Sequence, residues 1–241
     1  MQFIDSHIHL QDYNTKNAPQ VIAQAKSMGF YKLICPSVKQ ADWKNVLNMS
    51  LKYPDFITPA IGLHPWYLSA SDNSWHIKLE QILKEHPQVL IGECGLDRTK
   101  NPDIALQKSI FANHVELAMK FRRGIIIHSV KADALMEDFW LKLKSIKFVI
   151  HSFSGSVEFL QRAISFGGYI SFSPSIFRRS NCSDLIKSVP MSKVLLESDG
   201  PFQGDLTDVV DLYHRFSELK NIKTDDLGKQ LIENFVEFTH A

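Results

Sequence analysis

Short apolar runs recur along the chain, and each is followed by a longer segment with mixed polarity. The eight runs occupy residues 3–5, 32–35, 58–61, 89–91, 124–127, 148–150, 169–172 and 194–196. Several are continuously apolar, which is typical of parallel strands that are covered on both faces of a sheet. The pattern therefore predicts eight buried β-strands.

The segments between the runs place apolar residues at helical spacing. Three examples are Val21, Ile22, Ala25 and Met28; Phe111, Val115, Ala118 and Met119; and Val157, Leu160, Ala163 and Ile164. A closing helix is expected from Thr224, with Leu227, Leu231, Phe235 and Phe238 on its apolar side.

Eight β–α alternations without a linker predict an α/β fold, a single (β/α)8 TIM-type barrel with a C-terminal helix, over one domain at 1–241. The alternative is an open doubly wound sheet, but no G-x-G-x-x-G or Walker-type loop follows any run.

Composition narrows the class of protein. A formal net charge of +1, with 44% apolar and 22% charged residues, excludes a disordered chain or a coiled coil and argues against a general nucleic-acid coating protein. Three cysteines without a C-x-x-C pair indicate reduced thiols. With no signal-peptide pattern and no 18-residue apolar stretch, we expect a cytoplasmic protein away from the membrane. No extended apolar face stands out, so we expect a monomer.

The ten histidines divide into two groups by position. Five lie in or beside predicted helices or near the C-terminus and are interpreted as surface or hydrogen-bonded histidines: His76, His86, His114, His214 and His240. The other five follow predicted strands, as do two carboxylates: His7, His9, His64, His128, His151, Glu93 and Asp199. In a barrel these strand ends open on one face, where active sites are built.

Imidazole and carboxylate groups are typical ligands of divalent metals. Alternation in Asp5-Ser-His7-Ile-His9 turns the three polar side chains the same way, with Asp5 supporting the site. Six ligands are too many for one catalytic ion with an open position, so we predict two ions about 3.5–4 Å apart. One would be held by His7, His9, Glu93 and Asp199, and the other by Glu93, His128 and His151. Glu93 would bridge them, and Asp199 would act as general base for a metal-activated water.

Ordered motifs then reveal a resemblance. They are Asp5-Ser-His-Ile-His9, Gly62-Leu-His-Pro65, Gly92-Glu-Cys-Gly-Leu-Asp97, Ile125-Ile-Ile-His-Ser129, His151-Ser-Phe-Ser-Gly155, Gly168-Tyr-Ile-Ser-Phe172, Leu195-Leu-Glu-Ser-Asp-Gly-Pro-Phe202 and Glu233-Asn-Phe235. As a set they resemble the TatD-related family of metal-dependent deoxyribonucleases. The resemblance implies a two-metal phosphodiesterase, usually Mg²⁺-dependent, that trims DNA 3′ ends. It implies the same six ligands and a catalytic His64 that contacts the scissile phosphate; Zn²⁺ or Mn²⁺ would also suit the ligands.

Substrate contacts depart from the family pattern. Val130 stands where an arginine is common, and Arg98-Thr99-Lys100 replaces an aromatic pair. Rim cations are expected to compensate, chiefly Lys131, Arg178 and Arg179. Trp66 is expected to stack on bases, whereas Phe153 and Phe202 are expected to pack loops against the barrel, and Cys94 to be a buried small residue.

DNA or oligonucleotide ends are thus the expected substrate, and no obligate protein partner is evident. The alternatives are an amidohydrolase acting on a cyclic amide or lactone, a phosphomonoesterase, and a non-catalytic binding protein, because fold alone does not choose among them.

Overall fold

The computed structural model describes residues 1–13, 17–100 and 103–240. Within these ranges eight parallel strands form one sheet in sequential order. The strands are β1 (Phe3–Asp5), β2 (Phe30–Pro36), β3 (Ile57–Ile61), β4 (Leu90–Asp97), β5 (Ile125–Val130), β6 (Phe148–Ile150), β7 (Tyr169–Phe172) and β8 (Val194–Leu196). All eight predicted strands are confirmed.

Helices alternate with the strands as the apolar spacing predicts. They are α1 (Ala18–Ser27), α2 (Trp43–Lys52), α3 (Trp75–Glu85), α4 (Ile104–Phe121), α5 (Trp140–Leu143), α6 (Val157–Ser165), α7 (Cys182–Ser188), α8 (Leu206–Lys220) and α9 (Thr224–Thr239). Short 3₁₀ segments occupy Leu10–Asp12, Gln40–Asp42, Leu68–Ala70, Asp133–Asp138, Pro174–Arg178 and Met191–Lys193. None of the described helices combines the length and apolarity needed to cross a membrane.

Strands β4 and β5 are longer than the apolar runs that predicted them. They continue through polar residues at their carboxyl ends, where Gly95 pairs with His128 and Asp97 with Val130. The apolar pattern underestimates these strands because glycine and polar residues interrupt it after Ile91 and Ile127.

The barrel closes between β8 and β1. The amide of Ser6 donates to the carbonyl of Leu196 over 3.0 Å, and beyond the strands the amide of Asp199 donates to the carbonyl of His7 over 2.9 Å. This closure brings the segment after β1 beside the segment after β8. The buried apolar side chains form one cluster that runs from Phe3 to Phe238 along the chain. The predicted (β/α)8 barrel with a C-terminal helix is confirmed.

Side chains of the last two helices hold the closing strands from outside. Tyr213 on α8 accepts from the amide of Ile4 over 2.9 Å. Asn234 on α9 donates to the carbonyls of Met191 and Val194 over 2.7 and 2.8 Å. These bonds satisfy backbone groups at a sheet edge that the adjacent strand does not reach, and so fix the strands that lead to His7 and Asp199.

Candidate metal centre

Glu93 lies at the centre of the site because β4 is irregular where it carries this residue. The register between β4 and β5 shifts between Ile91 and Cys94. Gly95 has a φ of +145°, and a Cβ there would lie 2.1 Å from the carbonyl oxygen of His128. Only glycine allows this approach of the two backbones. The Glu93 carboxylate is thereby buried at the carboxyl end of the barrel.

One oxygen of the Glu93 carboxylate meets three imidazoles. Oε1 lies 3.2 Å from Nε2 of His64, 3.0 Å from Nδ1 of His128 and 2.8 Å from Nε2 of His151. These rings come from the ends of three different strands, β3, β5 and β6. The barrel therefore assembles residues that are far apart in sequence around a single oxygen atom.

The other oxygen faces the segment after β1. Oε2 of Glu93 lies 3.1 Å from Nε2 of His7 and 3.5 Å from Nε2 of His9. Oδ1 of Asp199, which follows β8, lies 3.3 Å from the same atom of His9 and 3.8 Å from that of His7. Glu93 thus stands between two groups of imidazoles, each in contact with a different carboxylate oxygen.

Three of the imidazoles are held by hydrogen bonds on their far nitrogen. Nδ1 of His9 donates to the carbonyl of Pro36 over 3.2 Å, Nε2 of His128 to Asp97 over 2.8 Å, and Nδ1 of His151 to Glu197 over 3.2 Å. In the neutral ring such a bond fixes the tautomer, and the nitrogen that faces the carboxylates then carries the lone pair.

Lone pairs of nitrogen and oxygen that meet at about 3 Å repel one another unless a proton or a cation lies between them. Four strand-end imidazoles and two carboxylates, those of His7, His9, His128, His151, Glu93 and Asp199, also form a ligand set that suits divalent ions. The groups with ligand atoms within 4.8 Å of one another are His7, His9 and Asp199; His7, Glu93 and His151; and His64, Glu93 and His128. The six residues expected to bind metal therefore fit a metal centre, and the division into two ions stays a prediction.

His64 differs from the other imidazoles. Its Nδ1 accepts from the amide of Trp66 over 3.1 Å. In the neutral ring, Nε2 therefore carries the hydrogen that faces Glu93. Burial lowers the pKa of His64 to about 4, which keeps the ring neutral. His64 directs a hydrogen-bond donor into the site instead of a lone pair.

The charges of the cluster reinforce one another. Burial would lower the pKa of His151, but the carboxylates of Glu93 and Glu197 raise it well above the usual value. Burial would likewise raise the pKa of Glu93, but the charge of His151 holds it well below the usual range. The ionised carboxylate is thus stabilised by positive charge, as it would be by metal ions.

Three supporting carboxylates act behind the ligands. Asp97 and Glu197 hold His128 and His151, as described above, and neither was singled out from the sequence. Spacing was the available signal. Asp97 follows the predicted ligand Glu93 by four residues, and Glu197 precedes the predicted ligand Asp199 by two. Asp5, expected to support the site, accepts from the amides of His7 and Ser198 over 3.1 and 3.0 Å, so it holds the backbone rather than a ring.

A cavity of about 400 Å³ opens above Glu93. His64 and Trp66 line it, together with Lys39, which follows β2 at a strand end and was not predicted. The predicted cations Lys131, Arg178 and Arg179 are not among its lining residues. Lys131 and Arg178 are exposed, and Arg179 donates to the carbonyl of Gly155 over 3.4 Å. Their contact with substrate stays a prediction.

Two aromatic residues expected to pack their loops have different environments. Phe153 is buried and stacks on Phe159 at 5.7 Å, as predicted. The expectation for Phe202 is wrong, because its side chain is 64% exposed and lines the cavity. A turn closed by the bond from the amide of Phe202 to the carbonyl of Asp199 places the ring at the mouth of the cavity, 5.3 Å from the ring of His9. Cys94 is buried, as predicted.

A family model described as TatD related DNase matches residues 4–240. The chain belongs to the TatD-related DNase family. An uncharacterized metal-dependent hydrolase of Haemophilus influenzae is 30% identical over 97% of this chain and 98% of its own. The 3′-5′ ssDNA/RNA exonuclease TatD of Edwardsiella piscicida is 28% identical over 77% of this chain and 74% of its own.

A solved TatD-family structure has the same fold as this chain. It is the TatD homolog YjjV of Escherichia coli, which superposes with a TM-score of 0.88 at 25% identity and covers 98% of this chain and 97% of its own. The resemblance predicted from the ordered motifs is thus confirmed over nearly the whole chain.

Proposed function

We propose that the protein hydrolyses phosphodiester bonds at the 3′ ends of DNA with two divalent ions, and that Mg²⁺ is the ion used for activity. The observation that carries the proposal is the position of Glu93, whose two carboxylate oxygens face separate groups of imidazoles at the floor of the cavity. That arrangement suits a bridging ligand between two ions. The name of the Edwardsiella piscicida relative, a 3′-5′ exonuclease, supports the choice of substrate.

The six proposed ligands are His7, His9, Glu93, His128, His151 and Asp199. Ions held there would neutralise phosphate charge and make water a stronger nucleophile at neutral pH. His64 would donate its Nε2 hydrogen to an oxygen of the scissile phosphate, because this donor already points into the site.

Asp199 would accept the proton of the attacking water. Its Oδ2 accepts a hydrogen bond from Nε2 of Gln203, which also donates to Oγ of Ser152 over 2.8 Å. Because Gln203 is anchored at both partners, it fixes the direction of the Asp199 carboxylate. A general base needs such a fixed position to meet the proton that it removes.

The test is hydrolysis of a 3′-labelled single-stranded DNA oligonucleotide with Mg²⁺, with and without chelator. We expect stepwise loss of label that stops with chelator, and a fall of about 10²–10⁴-fold in kcat for Asp199→Asn. Unchanged hydrolysis by that variant would remove Asp199 from the mechanism. If protein shown to bind two ions leaves every oligonucleotide intact, the nuclease proposal fails, and cyclic amides, lactones and phosphomonoesters become the substrates to assay.

A further inference from the structure

Exposed aromatic side chains are confined to one place on the described surface. Among the described residues, the aromatic side chains that are exposed are Trp66, Tyr67 and Phe202, at 38, 36 and 64%. All three line the cavity above Glu93. Exposed apolar side chains cost free energy, and a group of them at a cavity marks a binding site.

The rings of Trp66 and Phe202 flank the candidate metal centre from opposite sides. The Trp66 ring lies 5.0 Å from that of His64 and 6.2 Å from that of His128, so it stands above the group that meets Oε1 of Glu93. The Phe202 ring lies 5.3 Å from that of His9, above the group that meets Oε2. A planar group that enters the cavity between them would contact aromatic surface, and its neighbouring phosphate would lie in the same cavity as the proposed metal ligands.

Trp66 is held in place before any ligand arrives. Its Nε1 donates to Oδ2 of Asp97 over 2.8 Å, and the ammonium of Lys100 lies 3.7 Å from the ring centroid, so it covers one face. A base that stacks on Trp66 would therefore use the other face. Because Asp97 also accepts from His128, one carboxylate fixes both the aromatic surface and a proposed metal ligand.

Lysine and arginine contribute little to the lining of the cavity. Among the described lining residues, Lys39 is the only lysine or arginine. Its ammonium lies 3.8 Å from Asp42 and 5.8 Å from the ring centroid of Tyr67. A series of phosphates would require a series of cations, whereas one lysine beside three rings suits a single phosphate next to a base.

We infer that Trp66, Tyr67 and Phe202 bind the unpaired base at the end of the substrate strand and that Lys39 binds its neighbouring phosphate. The inference rests on the proposed nuclease function and identifies the residues that select its substrate. Stacking requires an unpaired base but reads no sequence, so these residues would favour a substrate with a terminal base over one without it, whatever the identity of that base.

The test compares two single-stranded oligonucleotides that differ only at the 3′-terminal position, which is thymidine in one and an abasic tetrahydrofuran in the other. For the Mg²⁺-loaded wild-type protein we expect kcat/KM to be about 5- to 100-fold higher with the base. Phe202→Leu keeps an apolar side chain but removes the ring, so it is expected to reduce this preference. Trp66→Phe keeps a ring and is expected to retain most of it.

The matched control is Phe121→Leu, the same change at the end of α4, on the opposite face of the barrel. It is expected to leave the preference unchanged. Equal kcat/KM for the two oligonucleotides with the wild-type protein, or an unchanged preference in Phe202→Leu, would overturn the inference. Neither result would affect the proposed nuclease function, which fails only if the wild-type protein cleaves neither oligonucleotide.

Discussion

Two buried histidines of this protein differ in what their ring nitrogens contact. On α4, Nδ1 of His114 donates to the carbonyl of Ile110 over 2.8 Å, and Nε2 accepts from the amide of Leu63 over 3.2 Å. After β6, the two nitrogens of His151 face the carboxylates of Glu93 and Glu197. Burial lowers the pKa of His114 to about 4, whereas the carboxylates raise that of His151 well above the usual value despite burial.

The difference separates a structural histidine from a candidate metal ligand. His114 is satisfied by neutral backbone groups and stacks on Trp75 at 4.6 Å, so it is complete as a neutral ring. His151 lies between two carboxylates, an environment that a neutral ring does not satisfy and that a metal ion or a proton does. Burial alone therefore does not distinguish a candidate metal ligand from a structural histidine, whereas the charge of the groups that face its ring nitrogens does.

The largest effect is expected from Glu93→Gln. The change removes the charge shared by both groups of imidazoles and leaves buried imidazoles without their counter-ion. We expect bound metal to fall below two ions per chain, measured by plasma mass spectrometry, and oligonucleotide hydrolysis to fall by at least about 10²-fold. Glu116→Gln, at an exposed position on α4, is the matched control. Two ions bound at wild-type affinity in Glu93→Gln would contradict the bridging role.

A smaller effect is expected from Glu197→Gln, which keeps an oxygen to accept from His151 but removes its charge. Carboxylates behind a metal-binding histidine raise its basicity, and their loss typically costs about 10–100-fold in metal affinity. Competition with a metal-chelating dye measures this affinity. An unchanged affinity would mean that Glu197 only orients Ser152, whose amide it accepts over 2.7 Å.

The smallest effect is expected from His114→Phe, and it should depend on pH. The amide of Leu63 loses its acceptor, so the free energy of unfolding should fall by about 1–3 kcal/mol at pH 8. Wild-type His114 binds its proton only near pH 4 when folded, but near 6.5 when unfolded. Its stabilising contribution is therefore complete above 6.5 and is lost as the pH falls towards 4.

The difference between His114→Phe and the wild type should consequently shrink from pH 8 to pH 5. Urea unfolding of metal-free protein at both pH values measures it. All other titrating groups are common to the two proteins, so they cancel in the comparison. A constant difference would contradict the assignment of His114 as a buried neutral ring.

Much of this arrangement follows from the sequence. The apolar runs locate the strands. The candidate ligands all follow these runs and meet because parallel strands share one open face: His7, His9, Glu93, His128, His151 and Asp199. Phe202 and Asp97 show what the apolar runs leave undetermined. Whether a ring packs or projects depends on the turn after Asp199, and which carboxylate reaches His128 depends on the register between β4 and β5. Both are properties of tertiary structure.

The most direct test of the metal centre is a crystal of the protein soaked with Mn²⁺, with anomalous difference density measured around Glu93. We predict two peaks about 3.5–4 Å apart, one on each side of the Glu93 carboxylate. The first should lie beside His7 and His9, and the second beside His128 and His151. No peak, or a single peak that contacts only one group of imidazoles at saturating Mn²⁺, would contradict the two-ion account.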